Sequence, residues 1–444
     1  MRSTLFVAAA CTIVAGSAKV ALAQGGGAAG QAPAQAAPPV EDPIRTLVSR
    51  LDLEKYKATI KGLTRFGDRR QGTDRNRAAS DWIEAQLKSY GCTNTERITY
   101  EYTGQQLRPP GAGRGGRGGD STAAGRGAAG AAGARGGAAP ASSTATPARG
   151  GGGGRGRGNP NPVKGNRAPT GVNTNPELQP DTALRRINTQ PDTPGQRQEV
   201  YCTKIGKTRP NEMYIIGAHM DGHGFGAAAN DDGSGTALVM EIARVLNSPD
   251  VETDVSIRFA LWNNEETGLN GAHAYVAQRK DLQGIESPAG SGKYPEPKWL
   301  AMIQHDMMMW DHGMPGPDGK LNPEQRREAD VNVEFADTSK FAPEAQKLAW
   351  FFRQMNDRYA TDYPAAVGNR MSNTDSHAFM QFVPAISLRE NERLAHTGTG
   401  WNPTWHQPID VFETFSDKDF RLGLNAAQTT LSAIATLSGA TLKK

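Results

Sequence analysis

The chain has 444 residues, enough to bury a large core, yet only 37% are hydrophobic, and 52 glycines concentrated in one tract account for much of the shortfall. The net charge of +4 is unevenly spread: residues 108–167 hold ten Lys or Arg against one acid, Asp120, a local +9 that leaves the remainder near −5. That distribution excludes a globally basic, nucleic-acid-seeking surface.

The N-terminus has the form of a secretory signal over residues 1–23. Arg2 supplies a short positive region, Leu5 to Val20 is mostly apolar, and Ala21-Leu22-Ala23 precedes Gln24 in a small-x-small cleavage pattern. Ser17 and Lys19 interrupt the apolar run, which is shorter than the ~20 residues a membrane span needs. Too little apolar sequence precedes Cys11 for a lipid-anchoring site. The expectation is export, to the periplasm or outside the cell. Without the signal two cysteines remain, Cys92 and Cys202. An oxidising compartment permits a disulfide between them, the alternative being two separate buried thiols.

Residues 24–40 are a flexible N-terminus by composition. From residue 41 to residue 444 the chain reads as a single domain. Ile44, Leu47, Val48 and Leu51 have helical spacing, which Tyr56, Ile60 and Leu63 continue. A second helix is predicted over Thr73 to Tyr90, with Gly91 as its stop. Glu96 to Tyr102 alternates as a half-buried strand does. A Gly/Ala/Arg-rich insertion follows at about 105–194, with too few apolar groups to offset the entropy of ordering, and disorder is expected. Its RGG-like repeats lack the aromatic residues that stack bases, so a solvated insertion is favoured over an RNA-binding one.

The fold resumes with a strand at Glu199–Ile205, expected beside 96–102. Further strands are predicted at Met213–Ala218, Val255–Trp262, Trp299–Gln304, Val331–Phe335 and Ala385–Leu388. Helices are predicted at Ser234–Leu246, Asn270–Gln278 and Ala342–Tyr359, with a last one N-capped by Ser416 and running to about Leu437. This alternation implies an α/β fold, a mostly parallel mixed central sheet flanked by helices on both faces. In such sheets, sites form beyond the C-terminal strand ends.

Ligand-type residues collect at those ends. An apolar run stops at His219 and Asp221; the loop NDDGSG carries Asp231; a second run stops at Glu265 and Glu266; a third stops at Asp306. His406 in WHQPID is a further candidate. Carboxylates and imidazoles without thiolates suit Zn²⁺ or a related ion in an open site. Two ions would need a bridging carboxylate, and the small residues around Asp231 suit it to that position. Of Glu265 and Glu266, one can bind metal while the other acts as a base. Asp221 can accept the imidazole N–H of His219. The remaining histidines, among them His223, His273, His312 and His396, read as bystanders.

The ordered set GAHMDG, NDDGSGTALVMEIARVL, WNNEETGLNGAHAYV, IQHDM, NTDSHAFMQFVPAISL and WHQPID resembles metallopeptidase family twenty-eight, over about residues 41–104 and 199–437. The resemblance implies a phosphorylase/hydrolase-like zinc exopeptidase fold with two Zn²⁺ per chain. It implies that His219 and Asp306 bind one ion, Glu266 and His406 the other, and Asp231 both. Glu265 matches the general base, and Asp221 the residue behind the histidine ligand. Asp375 and His377 match a segment that shapes the site. The implied activity is that of an aminopeptidase on peptide or peptide-like substrates. Carboxypeptidases or dipeptidases, glutaminyl cyclases and non-catalytic binding proteins share the scaffold. Three features depart from the pattern: Trp405 in place of a Tyr, His305 in place of a smaller residue, and a long loop from Met307 to Asp330 that can rim the pocket.

Overall fold

Beta strand β3 (Arg209–His219) lies near the middle of the structure and is covered on both faces. Its Ile216 and Ala218 enter one hydrophobic cluster, and Met213 and Ile215 another. A strand buried on both sides reads as a continuous apolar run, which is why MYIIGA shows no alternation. The computed structural model describes residues 42–104, 172–311, 330–390 and 402–443, all within one compact unit, Asp42–Lys444. The predicted signal peptide, the flexible N-terminus, most of the Gly/Arg insertion, the loop after Asp311, and His312 and His396 lie outside the described residues.

The remaining strands are β1 (Glu96–Tyr102), β2 (Gly195–Lys204), β4 (Val251–Glu252), β5 (Val255–Trp262), β6 (Lys298–His305), β7 (Val331–Glu334), β8 (Ala365–Gly368), β9 (Ala385–Arg389) and β10 (Thr441–Leu442). Eight form one mixed sheet in the order β1-β2-β5-β3-β6-β9-β7-β8, while β4 and β10 pair separately. The central strands β5, β3, β6 and β9 run parallel; β1, β2 and β7 join antiparallel to their inner neighbours. The predicted pairing of 96–102 with the strand at 199–205 is present, from Glu96↔Tyr201 to Tyr102↔Gly195.

The helices are α1 (Pro43–Val48), α2 (Leu53–Thr64), α3 (Asp74–Ser89), α4 (Thr182–Asn188), α5 (Gly233–Leu246), α6 (Asn270–Arg279), α7 (Ala342–Tyr359), α8 (Ser376–Phe379) and α9 (Asp417–Leu437). Side chains of α1, α2, α3, α5, α7 and α9 fill one cluster, and those of α6 and α8 the other, so both sheet faces are covered. The first helical stretch is interrupted, contrary to the continuous spacing of its apolar residues. Asp52 accepts the N–H groups of Glu54 and Lys55 and starts α2 afresh. Ser416 caps α9 through a reciprocal pair with Asp419, as its position suggested.

One open alternative is settled and one boundary moves. Cys92 and Cys202 form a disulfide, joining the turn after α3 to β2. The insertion does not extend to residue 194: residues 172–194 are folded and include α4. They have little apolar surface but are anchored by polar side chains. Gln179 donates to the carbonyls of Phe225 and Pro408, each at 2.8 Å, and Asn188 to that of Gly226 at 2.6 Å. These buried hydrogen bonds compensate for the missing core.

Candidate metal centre

The site stands where β3, β5, β6 and β9 end. His219 is the last residue of β3, and Asp306 directly follows β6. Glu265 and Glu266 lie just beyond β5, Asp231 in the loop before α5, and His406 in the segment before α9. One pocket is lined by His219, Asp231, Glu265, Glu266, Asp306 and His406 together. Asp231 sits between the two imidazoles: its Oδ1 is 3.4 Å from His219 Nε2 and its Oδ2 is 3.0 Å from His406 Nε2. His219 Nε2 lies 3.9 Å from Asp306 Oδ1, and His406 Nε2 lies 3.0 Å from Glu266 Oε2.

A supporting set of buried polar groups holds these positions. Asp232 N-caps α5 through Gly235 at 2.9 Å and also accepts the N–H groups of His219 and Met307, at 3.1 and 3.2 Å. One carboxylate thus ties the ends of β3 and β6 to the helix. Asp410 accepts the N–H groups of Asn230 and Asp231, at 2.8 and 3.1 Å. Arg69 is buried and donates to the carbonyls of Met220, Ala227 and Ala228 at 2.7–2.8 Å, which fixes the course of the loop between His219 and Asp231. Arg389, at the end of β9, donates to Asp306 Oδ2 at 2.8 Å.

Asp221 does not hold the imidazole of His219 with its carboxylate. His219 Nδ1 is 2.9 Å from the backbone oxygen of Asp221 and 3.9 Å from its Oδ1. The carboxylate instead accepts the N–H of Glu265 at 3.0 Å and that of Glu266 at 3.4 Å. His223 is no bystander: its Nε2 lies 3.1 Å from Glu266 Oε2. Asp375 is buried and accepts from Gln304 at 3.0 Å, whereas His377 is exposed on α8 and does not line the pocket. His305 points into the core, with Nδ1 3.1 Å from the Gly217 carbonyl and Nε2 2.8 Å from Thr430 Oγ1. Trp405 and Met307 also line the pocket, and the Trp405 and His406 ring centroids are 4.3 Å apart.

So many buried carboxylates are costly unless cations compensate them. Burial, with Glu266, Asp375 and Asp306 nearby, pushes Glu265 well above the usual carboxylate range, against the pull of His219. Burial works against a charged His219, but Glu265, Asp232, Asp231 and Asp306 outweigh it and raise its pKa well above the usual value. Burial also opposes ionisation of Glu266 and Asp306. His223 and His406 hold Glu266 at about 2, and Arg389 and His219 hold Asp306 at about 2. The cluster is electrostatically short of positive charge.

The donor atoms fit a metal ion. His219 Nε2 and Glu266 Oε1 are buried yet make no hydrogen bond among the described residues. The trios His219–Glu265–Asp306 and His219–Asp231–Glu266 each bring one donor atom per residue within 4.8 Å of one another. Imidazole nitrogens and carboxylate oxygens without thiolates are the donor chemistry of catalytic zinc sites.

A mixed α/β sheet with an imidazole–carboxylate centre at its parallel strand ends defines the class as a metallohydrolase-type fold. The sequence model of Peptidase family M28 matches residues 200–429. The chain belongs to that family. It is 46% identical over 79 residues to Aminopeptidase YwaD of Bacillus subtilis, covering 17% of each chain. To the Aminopeptidase of Pseudomonas aeruginosa it is 32% identical over 143 residues, 31% of this chain and 26% of that one. The chain thus spans less than a third of the length of these curated relatives. Its fold is similar to that of BSAP, a zinc aminopeptidase from Bacillus subtilis, with a TM-score of 0.53 at 14% identity, covering 89% of this chain and 96% of that one. An aminopeptidase from Aneurinibacillus sp. strain AM-1 gives a TM-score of 0.51 at 16% identity, covering 88% and 95%.

Proposed function

We propose that the chain is an exported, zinc-dependent exopeptidase that removes the N-terminal residue of peptides. The observation that carries this reading is the convergence of Asp231, Glu265, Glu266 and Asp306 with His219 and His406 around one pocket. In this reading His219 and Asp306 hold one zinc, Glu266 and His406 a second, and Asp231 both. When bound, such ions supply Lewis acidity and lower the pKa of a water from about 15.7 towards ~7. Glu265 takes the proton of the attacking water and returns it to the leaving amine. Asp221 positions Glu265 and Glu266 through their backbone N–H groups. The names of the relatives, aminopeptidases among them, support the same reading.

Residues 41–444 are read as one peptidase domain carrying the Gly/Arg tract as an insertion. The secretory pattern over residues 1–23 and the Cys92–Cys202 disulfide support export to an oxidising compartment. No helix among the described residues is long and apolar enough to cross a membrane.

The test is a panel of aminoacyl reporters, N-blocked peptides, C-terminal reporters and N-terminal glutaminyl peptides, with and without chelator. Chelator-sensitive cleavage of free-amine substrates alone is expected. Cleavage of blocked peptides alone would make the enzyme a carboxypeptidase. Ammonia release without peptide cleavage would make it a cyclase, and metal binding without turnover a binding protein.

A further inference from the structure

His223 belongs to neither the predicted ligand set nor the positions that support it, yet its Nε2 reaches Glu266. The nitrogen is buried and lies 3.1 Å from Glu266 Oε2, but the approach is off the hydrogen-bonding direction and the nitrogen has no hydrogen-bond partner among the described residues. His406 Nε2 approaches the same oxygen at 3.0 Å. The two rings stand edge to face, with centroids 4.1 Å apart and planes at 88°. Donors about 2 Å from one zinc at tetrahedral angles lie roughly 3.3 Å from one another. The three donor atoms of His223, Glu266 and His406 all fall within 4.8 Å.

The backbone is built for this approach. His223 lies between Gly222 and Gly224 in the run Gly-His-Gly-Phe-Gly. Gly224 has φ +95°, and a Cβ there would stand 2.3 Å from the carbonyl oxygen of His406. At Gly226 a Cβ would meet the carbonyl oxygens of Gln407 and Asp410 at 2.6 and 2.8 Å. A hydrogen bond from Ala227 N–H to the Asp410 carbonyl, 2.7 Å, closes the contact. Glycine therefore lets the segment bearing His223 lie directly on the segment bearing His406.

We propose that His223 is a further metal-binding residue, which joins Glu266 and His406 around one ion. Two imidazoles and a Glu are a donor set used by catalytic zinc sites. This half of the centre then has two imidazoles, whereas the half built on His219 and Asp306 has one. The two ions are held unequally, and the one at His223 is the last to leave. The inference rests on the metal-dependent reading above.

The test is zinc content per chain after dialysis of the full-length protein against graded chelator, for wild type, H223A, H223N and H406A. Wild type is expected to lose its ions in two separate steps. H223A and H223N are expected to move the later step to chelator concentrations lower by more than about tenfold, the lower bound for losing a group that orients a metal. Circular dichroism shows which variants are folded; the asparagine variant, smaller and still polar, serves if the alanine variant is not. The absorption spectrum of the cobalt-substituted protein should change in the same variants, as a nitrogen donor is lost. Unaltered release steps and cobalt spectra in a folded His223 variant, with H406A impaired, would overturn the role of His223 alone. Wild-type protein that binds no zinc, or H406A that retains it fully, would overturn the metal-dependent reading itself and this inference with it.

Discussion

Asp221 accepts the backbone N–H of Glu265 at 3.0 Å, while its own backbone oxygen faces His219 Nδ1 at 2.9 Å. The side chain therefore governs the Glu pair, and the main chain governs the imidazole. D221N keeps the backbone oxygen but turns an amide NH₂ towards one of the two N–H groups that the carboxylate satisfied. Zinc content should be unchanged, with kcat lower by about 10–100-fold. Elemental analysis beside steady-state kinetics checks this; loss of zinc in D221N would restore the imidazole to the carboxylate's charge.

Glu265 has a donor atom within 4.8 Å of those of His219 and Asp306, but the proposed mechanism assigns it proton transfer and leaves the metal to the other residues. E265Q should bind zinc normally and lose about 10²–10⁴ in kcat. H219A or D231A should instead lose zinc. Full turnover by E265Q would remove Glu265 from the mechanism.

Arg389 and Asp306 form a buried ion pair at 2.8 Å, with each side chain at most 5% exposed. Removing one partner of such a pair typically costs about 3–5 kcal/mol. R389M should show that loss in chelator-treated protein and a smaller one in zinc-loaded protein, where the metal takes over neutralisation of Asp306. Urea denaturation of both forms measures the difference, and equal losses would contradict the coupling.

Edge strand β1 is fastened by Glu84 of α3, which accepts from Arg97 Nε at 2.7 Å, from Thr95 at 3.1 Å and from Lys88 at 2.6 Å. Lys88 first, then Arg97 and Thr95, hold the Glu84 carboxyl down at about 2, against an unfolded value near 4.5. Its stabilisation is complete above pH 4.5 and is lost as pH falls towards 2. After discounting for solvent screening, about 1–2 kcal/mol is expected at neutral pH. E84Q should therefore differ from wild type in urea midpoint at pH 7, and the gap should narrow at pH 4 and again at pH 3. A gap independent of pH would mean that Glu84 acts through packing alone.

Much of the fold was legible because it depends on local pattern. The apolar runs ending in His219, Glu265 and Asp306 announced parallel strands and their ends, and Thr73 and Ser416 announced helix starts. What escaped depends on partners distant in sequence. His223 looked incidental because its neighbour is His406. Asp232 looked like a companion of Asp231, although an Asp directly before a helix is a common cap and was a usable signal. Arg389 stood at the end of an apolar strand with no local hint of Asp306. Residues 172–194 have few apolar groups, and the distant carbonyls that receive Gln179 and Asn188 leave no local trace, although Asp181 before Ala183 and Leu184 was a usable cap signal.

The pairing of β1 with β2 carries a consequence for how the gene can vary. Tyr102 and Gly195 face each other at one end of the ladder, and Cys92 and Cys202 are bonded near the other. Residues 172–194 are anchored through Gln179 and Asn188, so the length that can vary lies between 105 and 171, and doubling it costs only about 0.6 kcal/mol in closure entropy. A chain severed anywhere between residues 105 and 171 would migrate as one species without reductant and as two with it. The tract can lengthen, shrink or be nicked without separating α3 from the sheet.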